Sequence, residues 1–100
     1  MKKKAYTTIK DKHGKQIYNG DILRGIYEDD DDPESQPIVD YGYVAFENGC
    51  FVLKWINYKY TDILSDVACY MEVIGNINDD PSLFERIMKQ IQEEQSCQTK

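Results

Sequence analysis

The dipeptide formed by Asn48 and Gly49, set between two β-rich runs, constrains the fold of this chain more than any other feature. Both residues tolerate the positive φ angles of a two-residue type I′ turn, so residues 37–57 predict a β-hairpin. The turn also fixes which residues face each other across the strands. Moving away from the turn, the predicted pairs are Glu47 with Cys50, Phe46 with Phe51, Ala45 with Val52, Val44 with Leu53, Tyr43 with Lys54, Gly42 with Trp55 and Tyr41 with Ile56.

Alternation along these two strands divides their side chains between two faces. The apolar face, which we expect to point into the core, holds Val44, Phe46, Phe51, Leu53 and Trp55, with Gly42 leaving room for the indole. The other, half-polar face holds Tyr41, Tyr43, Ala45, Val52, Lys54 and Ile56. Its two tyrosines are candidate partner contacts, because tyrosine is enriched in interface cores. The alternative stays open that a C-terminal helix or residues 57–70 cover them.

Residues 11–25 carry two further turn signals, at Gly14 and Gly20. They predict a turn at 13–14, a strand over 16–18, a turn at 19–21 and a strand over 22–27. We expect Ile17 and Ile22 to point into the core. Lys15 and Asp21 are expected at the surface or capping the turns.

A last strand is predicted over residues 71–77, with Met71, Val73 and Ile77 turned inward. The preceding residues 57–70 have a mixed period, so they predict a loop, a short turn and a connection.

A C-terminal amphipathic helix is predicted over residues 79–95, with Asp79 or Asp80 as N-cap and Pro81 as first helical residue. Its apolar stripe consists of Leu83, Phe84, Ile87, Met88 and Ile91. Such a stripe most often packs on the protein's own sheet, and burial between copies in a homo-oligomer is the alternative. Residues 96–100 are predicted to be a disordered tail, and residues 1–10 a basic N-terminal segment.

The net charge of −6 is unevenly distributed along the 100 residues. Residues 1–15 carry six lysines against one aspartate, which gives this part a charge of +5. An acidic run follows, whose carboxylates are Glu28, Asp29, Asp30, Asp31, Asp32 and Glu34. With Pro33 and Pro37 it predicts a flexible acidic loop over 28–37. These six residues, with Tyr41 and Tyr43, are the candidate partner-binding residues, since the run could imitate nucleic-acid charge toward a basic partner.

The residues predict no enzyme, metal site or cofactor. The only histidine, His13, lies in a glycine turn, and the cysteines at 50, 69 and 97 are too widely spaced for a zinc site. We expect reduced, mostly buried thiols. A calcium loop is excluded because, counted from Asp29, loop position six is Glu34 rather than glycine. No apolar run is long enough to span a membrane, and no apolar region follows the basic start as in a secretory signal, so a cytoplasmic protein is expected.

Nucleic acid is the less favoured partner, because overall acidity opposes binding to a phosphate backbone. In that alternative the lysines near the start of the chain would act with aromatic side chains of the predicted hairpin. The candidates are Lys2, Lys3, Lys4, Lys10 and Lys12, with Tyr41, Tyr43 and Trp55.

Three stretches, DKHGKQIYNGDILR, VAFENGCFVLKW and MEVIGNINDDPSLF, together resemble the YopX family of phage and prophage proteins. The family pattern is D-x-x-G-K-x-I-Y-x-G-D-I-V, then V-x-F-x-x-G-x-F, then E-V-I-G-N-I-Y-x-N-P-x-L-L. This chain departs from it at Leu23 in place of valine, Asn78 in place of tyrosine and Asp80 before the proline, and by the acidic insertion at 28–34.

The resemblance implies a small, mostly β, SH3-like barrel, here residues 11–78, carried by phages of Gram-positive hosts and without transferable catalytic residues. Together with the absent chemistry, it leads to the expectation of a non-enzymatic phage accessory protein that acts by binding a protein in the host cytoplasm. The sharper version is inhibition of a host defence system, of the anti-CRISPR type, and the alternative is a small nucleic-acid-binding barrel.

Overall fold

The computed structural model of this chain describes residues 5–27, 31, 34, 37–56, 59 and 61–98. The strands are β1 (Tyr6–Lys10), β2 (Gln16–Tyr18), β3 (Asp21–Tyr27), β4 (Ile38–Glu47), β5 (Cys50–Trp55), β6 (Thr61–Ile63) and β7 (Met71–Asn76). The helices are α1 (Leu64–Val67), a 3₁₀ turn (Ala68–Tyr70) and α2 (Pro81–Gln98). The fold is therefore mostly β with a C-terminal helix, as predicted.

Five strands form one antiparallel sheet in the order β6-β5-β4-β3-β7, and β1 and β2 form a separate two-stranded sheet. The resemblance implies a barrel, but the larger sheet is open, since its described edge strands β6 and β7 do not pair with each other. The outer edge of β7 is occupied by the chain's own first loop. The N–H of Lys12 donates to the carbonyl of Met71 (3.0 Å), and the N–H of Val73 donates to Oδ2 of Asp11 (2.9 Å).

The predicted hairpin is confirmed in its turn and register. Asn48 and Gly49 have φ angles of 52° and 83°, as a type I′ turn requires. The pairs from Gly42–Trp55 to Glu47–Cys50 are those predicted, and the N–H of Ile56 donates to the carbonyl of Tyr41 (2.8 Å).

The apolar face of this hairpin forms the main core with residues from β2, β3, β7 and the α1 region. Its buried members are Ile17, Leu23, Val44, Leu53, Trp55, Leu64, Ala68 and Met71. The indole Nε1 of Trp55 donates to Oδ2 of Asp62 (2.7 Å), which links β5 to β6. This core lies between the larger sheet and the layer that β1, β2 and α1 place over it.

Two details of the predicted core face are wrong. Phe46 is 56% exposed, because the hairpin tip extends past the core, and it packs only edge-on against Phe51 (ring centroids 4.9 Å apart). Gly42 makes room for Leu53 rather than for the indole, since a Cβ there would lie 2.8 Å from Leu53 Cγ. Leu53 is the diagonal neighbour across the strands, and diagonal neighbours are within reach in an antiparallel pair.

The basic N-terminal segment predicted for residues 1–10 contains strand β1. Thr7 is buried and Ile9 partly buried, so alternate side chains cover the core although the segment is rich in lysine. The hydroxyl of Thr7 donates to the carbonyl of Ile17 (2.8 Å), and a bulge at Thr8, with φ of 66°, interrupts the pairing with β2. Residues 1–4 lie outside the described residues.

Residues 57, 58 and 60 of the predicted loop and connection lie outside the described residues, whereas residues 61–70 are more regular than expected. They contain β6, α1 and the 3₁₀ turn, with Leu64 and Ala68 buried in the core. These elements are short, and tertiary contacts rather than local periodicity hold them.

Helix α2 begins at Pro81 as predicted, and Asp80 is its N-cap. Oδ1 of Asp80 accepts hydrogen bonds from the N–H of Leu83 (3.2 Å) and the hydroxyl of Ser82 (2.6 Å). The helix continues to Gln98, so the tail predicted for residues 96–100 begins too early. No glycine or proline stands near residue 95 to end the helix.

Candidate functional site

Helix α2 covers much of the half-polar face that carries the two candidate tyrosines. Ile87 and Ile91 are buried against Ile22 of β3, and the ring of Phe84 meets that of Tyr43 edge-on at 5.5 Å between centroids. The sequence left open a C-terminal helix or residues 57–70 as the cover of this face, and the helix is the element that packs on it. Within the apolar stripe, Ile87 and Ile91 are buried in the chain's own fold, whereas Met88 is 37% exposed.

The cover is incomplete on one side of the helix. A groove of about 250 Å³ lies between α2 and the sheet. It is lined by Arg24, Tyr41, Ile74, Leu83, Arg86, Ile87 and Gln90. Its floor is thus apolar and its walls carry two guanidinium groups, a phenol and an amide.

The guanidinium group of Arg24 in this groove forms an ion pair with the carboxylate of Glu72 on β7. Nε of Arg24 donates to Oε1 of Glu72 (2.9 Å), and its Nη2 donates to the same oxygen. This pairing raises the pKa of Arg24 above its ordinary value, and the cross-strand neighbour Tyr41 adds a smaller contribution. The other carboxylate oxygen of Glu72 lies 3.2 Å from Nε2 of His13. The hydrogen bonds to Arg24 and, to a smaller extent, to His13 therefore lower the pKa of Glu72.

Beyond the groove, the next cross-strand pair on the same face is Ile26 with Val39. These side chains are 44% and 37% exposed. The pair lies about 7 Å along the strands from Arg24 and Tyr41, given a rise of about 3.3 Å per residue. We call the surface formed by Arg24, Ile26, Val39 and Tyr41 the open strip.

The predicted acidic residues are only partly within the described structure. Glu28, Asp29, Asp30 and Asp32 lie outside the described residues, whereas Asp31 and Glu34 are exposed. By position in the chain, the acidic run connects the ends of β3 and β4 at which Ile26 and Val39 stand. Tyr43 lies under α2 against Phe84, whereas Tyr41 lines the groove beside the helix.

Sequence reasoning missed the arginines of the groove. Arg24 stands two positions from both Ile22 and Ile26 along β3. This spacing places the three side chains on one face of the strand but does not identify the partner of Arg24. Arg86 stands one position before Ile87 on α2, and a single exposed arginine on a helix carries no signal of its own.

The described part of the chain holds no group of three or more His, Cys, Asp or Glu side chains that could bind a metal. Cys50 and Cys69 are free thiols, and both are exposed. The expectation of mostly buried thiols is therefore wrong for these two. Cys50 follows the hairpin turn, and Cys69 lies in the 3₁₀ turn next to the buried Ala68 but is itself exposed.

The polar residues of the sequence motifs hold the fold together. Oδ2 of Asp21 accepts the N–H of Tyr18 (2.7 Å), and its Oδ1 accepts Nδ2 of Asn76 (2.8 Å). Oδ1 of Asn76 in turn accepts the N–H of Asn78 (2.8 Å). Asp21 caps a turn as predicted, but it is buried rather than on the surface. These polar residues of the motif thus stabilise the turn before β3 and its contact with the end of β7.

None of the described helices is long and apolar enough to cross a membrane. No curated protein matches the chain. The sequence model of the family described as YopX protein matches residues 4–85, which include all the strands and the start of α2. The chain therefore belongs to the YopX family.

Proposed function

We propose that this YopX family member is a non-enzymatic phage or prophage accessory protein that binds a protein partner through the open strip. The observation that carries the proposal is the exposure of Ile26 and Val39, which are neighbours across β3 and β4. Single exposed apolar residues are normal on protein surfaces, whereas an apolar pair that continues into a groove is typical of interaction sites.

The charges around the strip indicate the kind of partner. The acidic run, with six carboxylates in residues 28–34, joins the strands on which Ile26 and Val39 lie. A partner with an apolar contact bordered by basic side chains complements this arrangement. A nucleic-acid-binding groove of a host defence nuclease has these properties, so the sharper form of the proposal is an inhibitor of such a system in the host cytoplasm.

The first experiment compares proteins captured from host lysate by the wild type and by an I26S/V39S double variant. Loss of the apolar pair should remove specific capture, because the centre of an interface contributes most of the binding energy. Ile63→Ser is the matched control, since Ile63 is 52% exposed on β6, outside the open strip. Equal capture by the wild type and the double variant would count against the open strip.

A second experiment tests the acidic run by replacing Asp29, Asp30, Asp31 and Asp32 with serine. If the run imitates nucleic acid, this variant should lose inhibition of the partner, and the affinity of the wild type should fall with added salt. Full inhibition by the variant would remove the charge-imitation mechanism but leave binding by the apolar strip intact.

Of the three aromatic side chains named for the nucleic-acid alternative, Trp55 and Tyr43 do not support it. Trp55 is 8% exposed and bonded to Asp62, and Tyr43 packs against Phe84. A stacking platform needs an accessible ring face. The half-polar face therefore favours a protein partner.

A further inference from the structure

A second surface lies on the outer face of β1 and β2, away from the open strip. Thr7, Ile9 and Ile17 point from this small sheet toward the core. The side chains at the alternate positions of the two strands point outward. Among them, Tyr6 lies opposite Tyr18, and Lys10 lies opposite Gln16. The face therefore combines two aromatic rings with a lysine.

The rings of Tyr6 and Tyr18 contact each other. Their ring centroids are 5.4 Å apart with a tilt of 41°, and the hydroxyl of Tyr18 donates to Oε1 of Gln16 (2.7 Å). Tyr6 is 36% exposed, so part of its ring remains open to a ligand. An exposed ring that is fixed in place can stack on a nucleobase at little cost in conformational entropy.

The charge of the same region is strongly positive. Lys10 is exposed at the end of β1, and Lys12 and Lys15 are exposed in the loop that follows. The single carboxylate of residues 1–15 is that of Asp11, which is buried and accepts three backbone N–H groups. Glu72 also acts on Lys12, but it is bonded to Arg24 and His13. The lysines therefore remain available for an anion.

We propose that the outer face of β1 and β2 binds single-stranded nucleic acid, with Tyr6 stacking on a base and the lysines of residues 10–15 contacting phosphates. Lysines alone would suit any polyanion, whereas lysines beside an exposed tyrosine suit a strand with unpaired bases. Although the chain's net charge is −6, residues 1–15 carry +5, and this local charge favours phosphates at this end of the chain. The inference is independent of the open strip, which lies on another sheet.

The test is a fluorescence anisotropy titration of labelled oligo(dT) and oligo(rU) of about 20 nucleotides with the full-length protein at low salt. Binding should weaken with salt, with a slope of log K against log salt of about −2 if three lysines contact phosphates. Tyr6→Ala should weaken binding about tenfold. Tyr70→Ala is the matched control, since Tyr70 is 61% exposed in the 3₁₀ turn, and it should bind like the wild type. The DNA and RNA probes distinguish the two sources of the strand.

A triple variant, Lys10→Gln, Lys12→Gln and Lys15→Gln, provides a second measurement that does not touch the aromatic pair. It should reduce the salt slope toward zero while thermal unfolding stays cooperative. The proposal is overturned by an absence of anisotropy change at about 100 μM protein and about 20 mM salt. Equal losses in the Tyr6 and Tyr70 variants, or competition by polyglutamate as strong as by oligo(dT), would also overturn it. None of these results bears on the I26S/V39S experiment.

Discussion

The carboxylate of Asp11 accepts the backbone N–H of Val73, which lies 62 residues further along the chain, at 2.9 Å. Its other oxygen accepts the N–H groups of His13 (2.9 Å) and Lys15 (2.8 Å). Burial alone would raise the pKa of Asp11, but these three backbone donors outweigh it and hold the pKa below its ordinary value. One side chain thus shapes the first loop and fastens it to the outer edge of β7.

We expect Asp11→Ala to lower the free energy of unfolding by about 3 kcal/mol, because three N–H groups lose a charged acceptor. Asp11→Asn should be milder, since an amide oxygen can still accept from the loop while its NH₂ group faces the N–H of Val73. Urea unfolding at neutral pH measures both. Asp66→Ala, at an exposed position of α1, is the control. A loss no larger in Asp11→Ala than in Asp66→Ala would show that the carboxylate does not carry this connection.

The sequence predicted the central hairpin in detail because its determinants are local. The turn needs positive φ at Asn48 and Gly49, and strict alternation then assigns each side chain to a face. Strand β1 escaped prediction because its bulge at Thr8 breaks the alternation and its lysines obscure Thr7 and Ile9.

The candidate site was less predictable than the hairpin. The pairing of Ile26 with Val39 and of Arg24 with Tyr41 depends on the register of β3 against β4. These strands are joined by a long acidic segment, and a long connection does not fix register as a two-residue turn does. The groove also depends on where α2 packs on the sheet. Gly75 lets Leu83 of α2 approach closely, since a Cβ at residue 75 would lie 2.5 Å from Leu83 Cδ2.

Gly42 is required by the side chain it faces. A Cβ there would lie 2.8 Å from Cγ and 3.0 Å from both Cδ atoms of Leu53, which is fully buried. We expect Gly42→Ala to cost about 2 kcal/mol of stability through overpacking. In a Leu53→Ala background the same change should cost little, because the obstructing atoms are gone. A double-mutant cycle by urea unfolding measures this coupling, and additive effects would contradict the contact.

The packing of α2 on the sheet can be tested with two adjacent residues. Ile87 is 4% exposed against Ile22, whereas its neighbour Met88 is 37% exposed. We expect Ile87→Ala to lower the free energy of unfolding by about 3 kcal/mol and Met88→Ala by less than about 1 kcal/mol. Thermal or urea unfolding of the two variants gives the comparison. Similar losses would mean that α2 presents a different face to the sheet.

The pairing of Glu72 with Arg24 predicts a pH dependence of stability. Because the folded-state pKa of Glu72 is lowered from its ordinary 4.5, the stabilisation is complete above that pH and is lost as the pH falls through the folded-state pKa. Glu72→Gln removes the titrating group. The wild type should therefore be more stable than this variant at pH 7, and the difference should shrink on acidification below about pH 4.5.

Urea unfolding of the two proteins between neutral pH and about pH 3 measures this difference. Comparing the two proteins cancels the acid-dependent contributions of Asp11 and Asp80, whose pKa values are also lowered. Glu85→Gln, at an exposed position of α2, provides the control and should follow the wild type throughout. If the advantage over Glu72→Gln stays constant down to the lowest pH, ionisation of Glu72 does not stabilise the fold through Arg24.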